Sequence, residues 1–233
     1  VAGGHTTETL ASMTYSSVVS RDSVCIALLL ASLNQLEVLS CDISNAYLNA
    51  PCREKIWFVA GPEFGAREGT VVKVVRALYG LKSSGASWRN MFQQLIREMG
   101  FEPTIVDPDV YRRPMAKPQG FEYYELIIVY VDDVLIVSHN PTPCFERLQA
   151  EYKMNSQKVG TPERYLGADV KKVTRPNDPS GREYWSFSAQ TYVKNAVQNV
   201  MVLLQDKEKG PKASTRTPFP STTYPPELDT SEE

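Results

Sequence analysis

Leu126-Ile127-Ile128-Val129-Tyr130-Val131-Asp132-Asp133-Val134-Leu135-Ile136-Val137 is an apolar run interrupted by two adjacent carboxylates. A bare buried carboxylate is costly, so each must be paired, protonated or bound to metal. No Lys or Arg lies within the run to pair with them. The run is too long for one typical strand and rich in β-branched residues, so a hairpin is its simplest geometry. Asp132 and Asp133 then sit at the turn, where Asp is favoured. Two hard oxygen ligands at the tip of a rigid element suit Mg²⁺. A hairpin with a solvated acidic turn fits the motif equally well, and the rest of the chain must decide.

The 233 residues suit one large domain or two small ones, and the 42% hydrophobic content supports a sizeable core. With 22% charged residues and a net charge of −2, the composition is globular rather than disordered. No stretch approaches the roughly 20 apolar residues of a membrane span. The first residue is Val and no signal-peptide pattern follows, so the chain is expected to be a piece of something longer. Cys25, Cys41, Cys52 and Cys144 lack CxxC spacing, and His5 and His139 are the two histidines. Reduced thiols are expected, and no structural zinc site. The net charge argues mildly against a nucleic-acid partner. Its distribution softens that: residues 61–120 sum to +3 and residues 121–170 to −4. A basic stretch beside an acidic centre fits a template surface next to a metal site.

Away from the hairpin, residues 22–33 read as a buried helix with Ser20 as N-cap. Residues 36–43 read as a strand ending in Asp42. Residues 55–60 and 70–76 read as short strands split by a turn. Ser84 to Met99 reads as an amphipathic helix stopped by Gly100. Residues 144–152 read as a short helix, 164–173 as one strand, 184–188 as its partner, and 189–204 as a helix. From residue 205 the chain turns charged, then rich in Pro, Ser and Thr, as in a flexible tail or linker. The order predicts an α+β domain with helices on one face of an antiparallel sheet. If the strand ending in Asp42 neighbours the hairpin, three carboxylates converge. Such a set selects Mg²⁺ or Mn²⁺, and two such ions serve nucleotidyl transfer.

Four ordered motifs carry a resemblance. Asp42-Ile-Ser-Asn-Ala-Tyr-Leu-Asn-Ala50, Arg76-Ala-Leu-Tyr-Gly-Leu-Lys-Ser-Ser84 with Trp88, Tyr130-Val-Asp-Asp133 and Tyr165-Leu-Gly167 resemble the reverse transcriptase domain of copia-type long-terminal-repeat retrotransposons. The resemblance runs to about residue 204. It implies a polymerase palm with a ferredoxin/RRM-like sheet, partial fingers and a truncated thumb. It implies a two-metal RNA-directed DNA polymerase, with Asp42, Asp132 and Asp133 catalytic. Asp132 is the principal ligand of two Mg²⁺ or Mn²⁺ ions, Ile43 adds a backbone group, and Asp133 is the least direct ligand because neighbouring strand side chains diverge. Tyr47 resembles the aromatic gate that excludes a ribose 2′-hydroxyl. Gly80 and Lys82 resemble the nucleotide and template loop. Tyr165, Leu166 and Gly167 resemble the segment gripping the primer end. The implied partners are an RNA template, a DNA or RNA primer, a deoxynucleoside triphosphate, and the integrase and ribonuclease H regions of a parent polyprotein. The implied location is the cytoplasm, in a virus-like particle, or the nucleus.

Each residue also has a simpler reading: Tyr47 and Trp88 as core aromatics, Lys82 as a solvated lysine, Gly167 as a bulge, Asp107 and Asp109 as turn formers, His139 as a surface residue. Against the family's pattern, the basic first strand is expected to be reduced to Val1-Ala2 and the ribonuclease H region to be missing from this piece, so the isolated chain is expected to be weakly active or inactive. The competing functions are an inactive remnant, an RRM-like RNA-binding module and a nucleotide cyclase. A large distance between Asp42 and the hairpin tip would exclude the metal site.

Overall fold

The structure, a computed structural model, describes residues 14–174, 176, 178–179 and 181–205. The expected tail from residue 205 therefore lies, beyond Gln205 itself, outside the described residues. Two compact units divide the chain, Val1–Ser188 and Ala189–Glu233.

In the first unit the apolar run folds back on itself as β6 (Glu122–Tyr130) and β7 (Asp133–Ser138), with Leu126 opposite Val137 and Tyr130 opposite Asp133. β1 (Glu37–Asp42) pairs with β7 on one side. β5 (Val110–Ala116) and the two-residue β4 (Glu102–Pro103) extend the sheet beyond β6. The five strands are antiparallel throughout, in the order β1-β7-β6-β5-β4. This is the mixed helix and antiparallel-sheet class expected from the sequence.

Side chains of β7 alternate between two cores. Val134 and Ile136 pack with Trp88, Phe92, Leu95 and Ile96 of α3 (Ser84–Glu98) and with Cys144 and Leu148 of α4 (Thr142–Glu151). Leu135 and Val137 pack with Val24, Ala27, Leu28 and Ala31 of α1 (Arg21–Leu33). The helices therefore do not share one face, which corrects the expectation. A strand apolar at every position has two faces to bury, so it reads as continuous rather than alternating. α1 begins as its sequence dictates, with the Ser23 amide donating to Ser20 Oγ at 3.1 Å. α3 ends before Gly100, whose φ of +85° suits a residue without a Cβ.

β2 (Trp57–Val59) and β3 (Val71–Lys73) form a separate ribbon around the 3₁₀ segment Pro62–Arg67. The single strand expected over 164–173 is instead a hairpin of β8 (Arg164–Tyr165) and β9 (Ala168–Thr174). Leu166 at φ +47° and Gly167 at φ +76° form its turn. Positive φ at both central residues is the backbone twist that suits tight hairpins. Gly167 is therefore a turn residue and not a bulge. β10 (Glu183–Ser188) pairs with β9 as expected, and this small sheet joins α1 in covering the second core.

The second unit contains α5 (Gln190–Gln205) among the described residues. No described helix is long and apolar enough to cross a membrane.

Candidate active site

The topology sets Asp42 directly opposite Asp133, as the last residue of β1 facing the first of β7. Val131 and Asp132 make the hairpin turn. Asp133 thus starts a strand rather than sharing the turn. Val131 has φ +58°, a region a β-branched residue rarely adopts. Two hydrogen bonds hold the turn. Trp88 Nε1 donates to the Val131 carbonyl at 2.8 Å, and the Ile43 amide donates to the Asp132 carbonyl at 2.9 Å. Trp88 is a core aromatic, stacked on Phe92 at 5.1 Å, and its ring nitrogen also fixes the acidic tip. The Ile43 side chain is buried in the first core. Its amide is committed to Asp132, which leaves the carbonyl as the group it can offer a ligand.

Electrostatics set Asp132 and Asp133 apart from ordinary surface carboxylates. Burial, then the neighbouring Asp132 charge, push Asp133 up to about 6, with Asp42 adding in the same direction and Lys158 opposing. Asp132 is also raised, chiefly by burial, with Asp42 adding and Lys158 again opposing. Lys158, in the 3₁₀ turn Ser156–Lys158, places Nζ 2.6 Å from Asp42 Oδ2. Among the described residues no three His, Cys, Asp or Glu side chains are gathered closely enough to hold one ion. The donor chemistry still fits a hard divalent cation: all three side chains are oxygen donors, Asp132 and Asp133 hold their protons more tightly beside the other carboxylates, and Asp42 already holds a cationic ammonium. The arrangement brings the predicted carboxylates together without presenting them to a single point.

Tyr47 lies on the short helix α2 (Ala46–Asn49), half-buried against the first core. Its ring lies tilted against that of Tyr79, with centroids 4.5 Å apart. Gly80 follows at φ +101°, and Lys82 is exposed two residues before α3. Asp107 accepts from the Ser20 amide at 3.0 Å and Ser23 Oγ at 2.6 Å, tying the start of α1 to the loop before β5. Asp109 pairs with Arg89 at 2.9 Å. Both aspartates are structural. His139 is half-buried with Nδ1 2.7 Å from the Tyr123 hydroxyl.

Tyr165 is buried, and its hydroxyl donates to the Asp133 carbonyl at 3.4 Å. The β8–β9 hairpin is thereby tied to the β6–β7 hairpin. Between them runs a cleft of about 720 Å³, lined by Cys41, Asp133, Lys158, Arg164, Tyr165 and Gly167 among others. Sequence reasoning passed over Lys158, which lies 116 residues from its partner Asp42. It also left Tyr79 without a role, although the residue stands inside a recognised motif.

Residues 4–197 match the family described as Reverse transcriptase (RNA-dependent DNA polymerase). The chain belongs to this family. It is 26% identical over 188 residues to the Retrovirus-related Pol polyprotein from transposon TNT 1-94 of Nicotiana tabacum, covering 79% of this chain and 13% of that protein. It is 27% identical over 174 residues to the corresponding polyprotein from transposon RE1 of Arabidopsis thaliana, covering 73% and 12%. It is 26% identical over 159 residues to the Transposon Ty1-DR4 Gag-Pol polyprotein of Saccharomyces cerevisiae, covering 66% and 9%. The chain thus spans roughly a tenth of the length of these relatives. These transposon polyproteins agree with the copia-type resemblance of the four motifs.

Proposed function

We propose that this reverse transcriptase chain carries the nucleotidyl-transfer centre of a retrotransposon polymerase, copying RNA into DNA from a primer 3′ end. The observation that carries the reading is the register of Asp42 against Asp133, with Asp132 held at the adjoining turn. Asp42 and Asp132 are the principal carboxylates for two Mg²⁺ or Mn²⁺ ions, Asp133 is the outer one, and the Ile43 carbonyl completes the set. When bound, such ions activate the attacking hydroxyl and neutralise charge developing at phosphorus. The chain's own residues position the reactants, which is most of what phosphoryl transfer asks of a protein. Tyr47 crowds the 2′ position of the incoming sugar. Gly80 lets backbone approach the nucleotide, and Lys82 offers charge to phosphate. Tyr165, Leu166 and Gly167 hold the primer end beside the cleft.

In this reading residues 14–188 correspond to a palm with part of the fingers, and α5 to the start of a thumb. Template RNA, a primer and a deoxynucleoside triphosphate are the partners, with integrase and ribonuclease H regions in the parent polyprotein and a virus-like particle in the cytoplasm as the setting. An RRM-like module would need an open sheet face bearing aromatics, whereas both faces of this sheet carry buried side chains.

Primer extension by the full chain on a DNA-primed RNA template with Mg²⁺ tests the proposal. Wild type is expected to add deoxynucleotides and Asp132→Asn to lose at least about 100-fold, the scale of removing a main electrostatic stabiliser of the transition state. Equal activity of the two proteins sinks the mechanism.

A further inference from the structure

The tilted Tyr47–Tyr79 ring pair, its planes 33° apart, has more structure behind it than a chance surface contact. The two tyrosines come from segments 32 residues apart in sequence, and backbone bonds close those segments together. The Ala77 amide donates to the Ala50 carbonyl at 3.0 Å and the Cys52 amide to the Val75 carbonyl at 3.0 Å. Arg76 Nη1 donates to the Asn49 carbonyl at 2.9 Å. Beyond Tyr79, Ser84 Oγ donates to the Leu78 carbonyl at 2.7 Å, fixing the chain on its way into α3. Both rings are therefore carried by backbone that is bonded on each side.

Their exposures differ. Tyr47 rests partly on the first core, whereas Tyr79 is 42% exposed. An exposed aromatic held in place beside another ring is poorly explained by burial alone. On its other side the Tyr47 hydroxyl faces Gly85 at the start of α3, where a Cβ would lie at an ordinary contact distance of 3.7 Å. The ring is bounded by the start of α3 on one side and by Tyr79 on the other.

We infer that Tyr79 is a positioning residue for sugar selection, holding the Tyr47 ring in the orientation that meets the 2′ position of the incoming nucleotide. The inference rests on the polymerase reading of the site and extends it to a residue outside the assigned set. The two hydroxyls also sense the same carboxylate. The Tyr47 phenol is raised by burial and then by Asp132, and the Tyr79 phenol by burial, then Asp132, Tyr47 and Asp42. Tyr47 stands on α2, the short helix that follows directly on β1 and its last residue Asp42, and its ring contact brings Tyr79 to the same side. Without Tyr79, Tyr47 gains rotational freedom and the steric barrier to a ribose softens. The phenyl ring of Phe at position 79 supplies the same wall, so the hydroxyl is dispensable.

The test is single-nucleotide addition by the full chain on a DNA-primed RNA template with Mg²⁺, comparing dATP with ATP as kcat/KM. Binding of the same two nucleotides to the complex with a dideoxy-terminated primer is measured in parallel. Tyr79→Ala is expected to lower the preference for dATP by about 10-fold or more, the scale of losing one steric contact. Tyr79→Phe keeps the wild-type preference. In a Tyr47→Val background, Tyr79→Ala adds little, because both changes act through one ring. Wild-type preference retained in Tyr79→Ala overturns the inference, and so does full additivity with Tyr47→Val. A loss of dATP and ATP use in equal proportion by Tyr79→Ala marks a merely structural role and overturns it too. A wild-type chain that neither extends the primer nor binds dATP defeats the polymerase reading itself, and this inference with it.

Discussion

Lys158 Nζ lies 2.6 Å from Asp42 Oδ2, so an ammonium sits on one of the oxygens a divalent ion would use. The lysine side chain is 57% exposed, and it is carried by a single turn of 3₁₀ helix. Such a partly solvated pair is worth at most about 1 kcal/mol, so the ammonium is displaceable. If Asp42 binds the proposed metal, lysine and metal compete for it, and each repels the other there. Lys158→Gln is expected to tighten Mn²⁺ binding by about fivefold, the equivalent of that 1 kcal/mol. Titration of the full chain with Mn²⁺, followed by electron paramagnetic resonance, measures it. Unchanged or weaker affinity would show that Lys158 does not guard the site.

The crowding of carboxylates makes stability depend on pH. Asp133 is raised from 3.8 to about 6 in the folded chain, first by burial and then by Asp132. The folded state holds this proton more tightly than the unfolded chain does. The resulting stabilisation is present in full below about pH 4 and is lost as pH rises through about 6. Its size is on the order of 1–3 kcal/mol, since each tenfold gain in proton affinity is worth about 1.4 kcal/mol and partial exposure reduces it. Urea denaturation in chelator at several pH values should show wild type losing stability relative to Asp133→Asn between those limits. Parallel curves for the two proteins would contradict the burial of this charge. Mg²⁺ added above pH 7 should restore part of the loss, because a bound cation replaces the proton.

How legible this site was in the sequence depended on distance along the chain. The hairpin announced itself through twelve consecutive residues, 126–137, and its burial on both faces explains why that signal was continuous. Asp42 was reachable because it ends a short apolar strand. β5 escaped notice because Arg112, Arg113 and Pro114 break its apolar pattern. Proline is tolerated there because at Pro114 the strand has β6 as its paired neighbour and β4 spans only residues opposite 111 and 112. The Leu166-Gly167 turn was hidden by a leucine at φ +47°, a position where sequence rules expect Asn, Asp or Gly. Lys158 had no local signal at all, since an ion pair spanning 116 residues leaves no periodicity to read.

Trp88 links the core to the acidic tip, and its loss should be felt at both ends. Its Nε1 satisfies the Val131 carbonyl in a turn whose backbone is strained at φ +58°. Trp88→Phe removes that donor and leaves a gap beside Phe92 and Tyr152. The expected cost is about 2–4 kcal/mol from the orphaned carbonyl and the cavity together. Urea denaturation reads the global loss. Amide exchange at Val131–Asp133 should speed more than exchange in β5, since the turn loses its anchor. Uniform acceleration across the sheet would mean that Trp88 acts through packing alone.

Arg113, half-buried, pairs with the buried Glu125 away from the acidic tip, where β5 and β6 run side by side. Glu125 is 2% exposed, and Arg113 Nε donates to its Oε2 at 3.1 Å. Arg113 Nη1 also donates to the Met99 carbonyl at 2.6 Å, and the guanidinium lies over the Phe101 ring at 4.4 Å. The arginine thus neutralises a buried carboxylate and also caps the end of α3. Arg113→Met strands the Glu125 charge and should cost about 3–5 kcal/mol, the usual penalty for breaking a buried pair from one side. Arg113→Met combined with Glu125→Leu removes both charges and should recover most of that loss, because well-packed apolar residues replace buried ion pairs at little cost. The recovery cannot be complete, since the Met99 carbonyl still lacks its donor. Denaturant unfolding of the two single variants and the double variant supplies the cycle. A double variant as unstable as the sum of the singles would show that the pair itself contributes nothing, and that Arg113 matters through Met99 and Phe101.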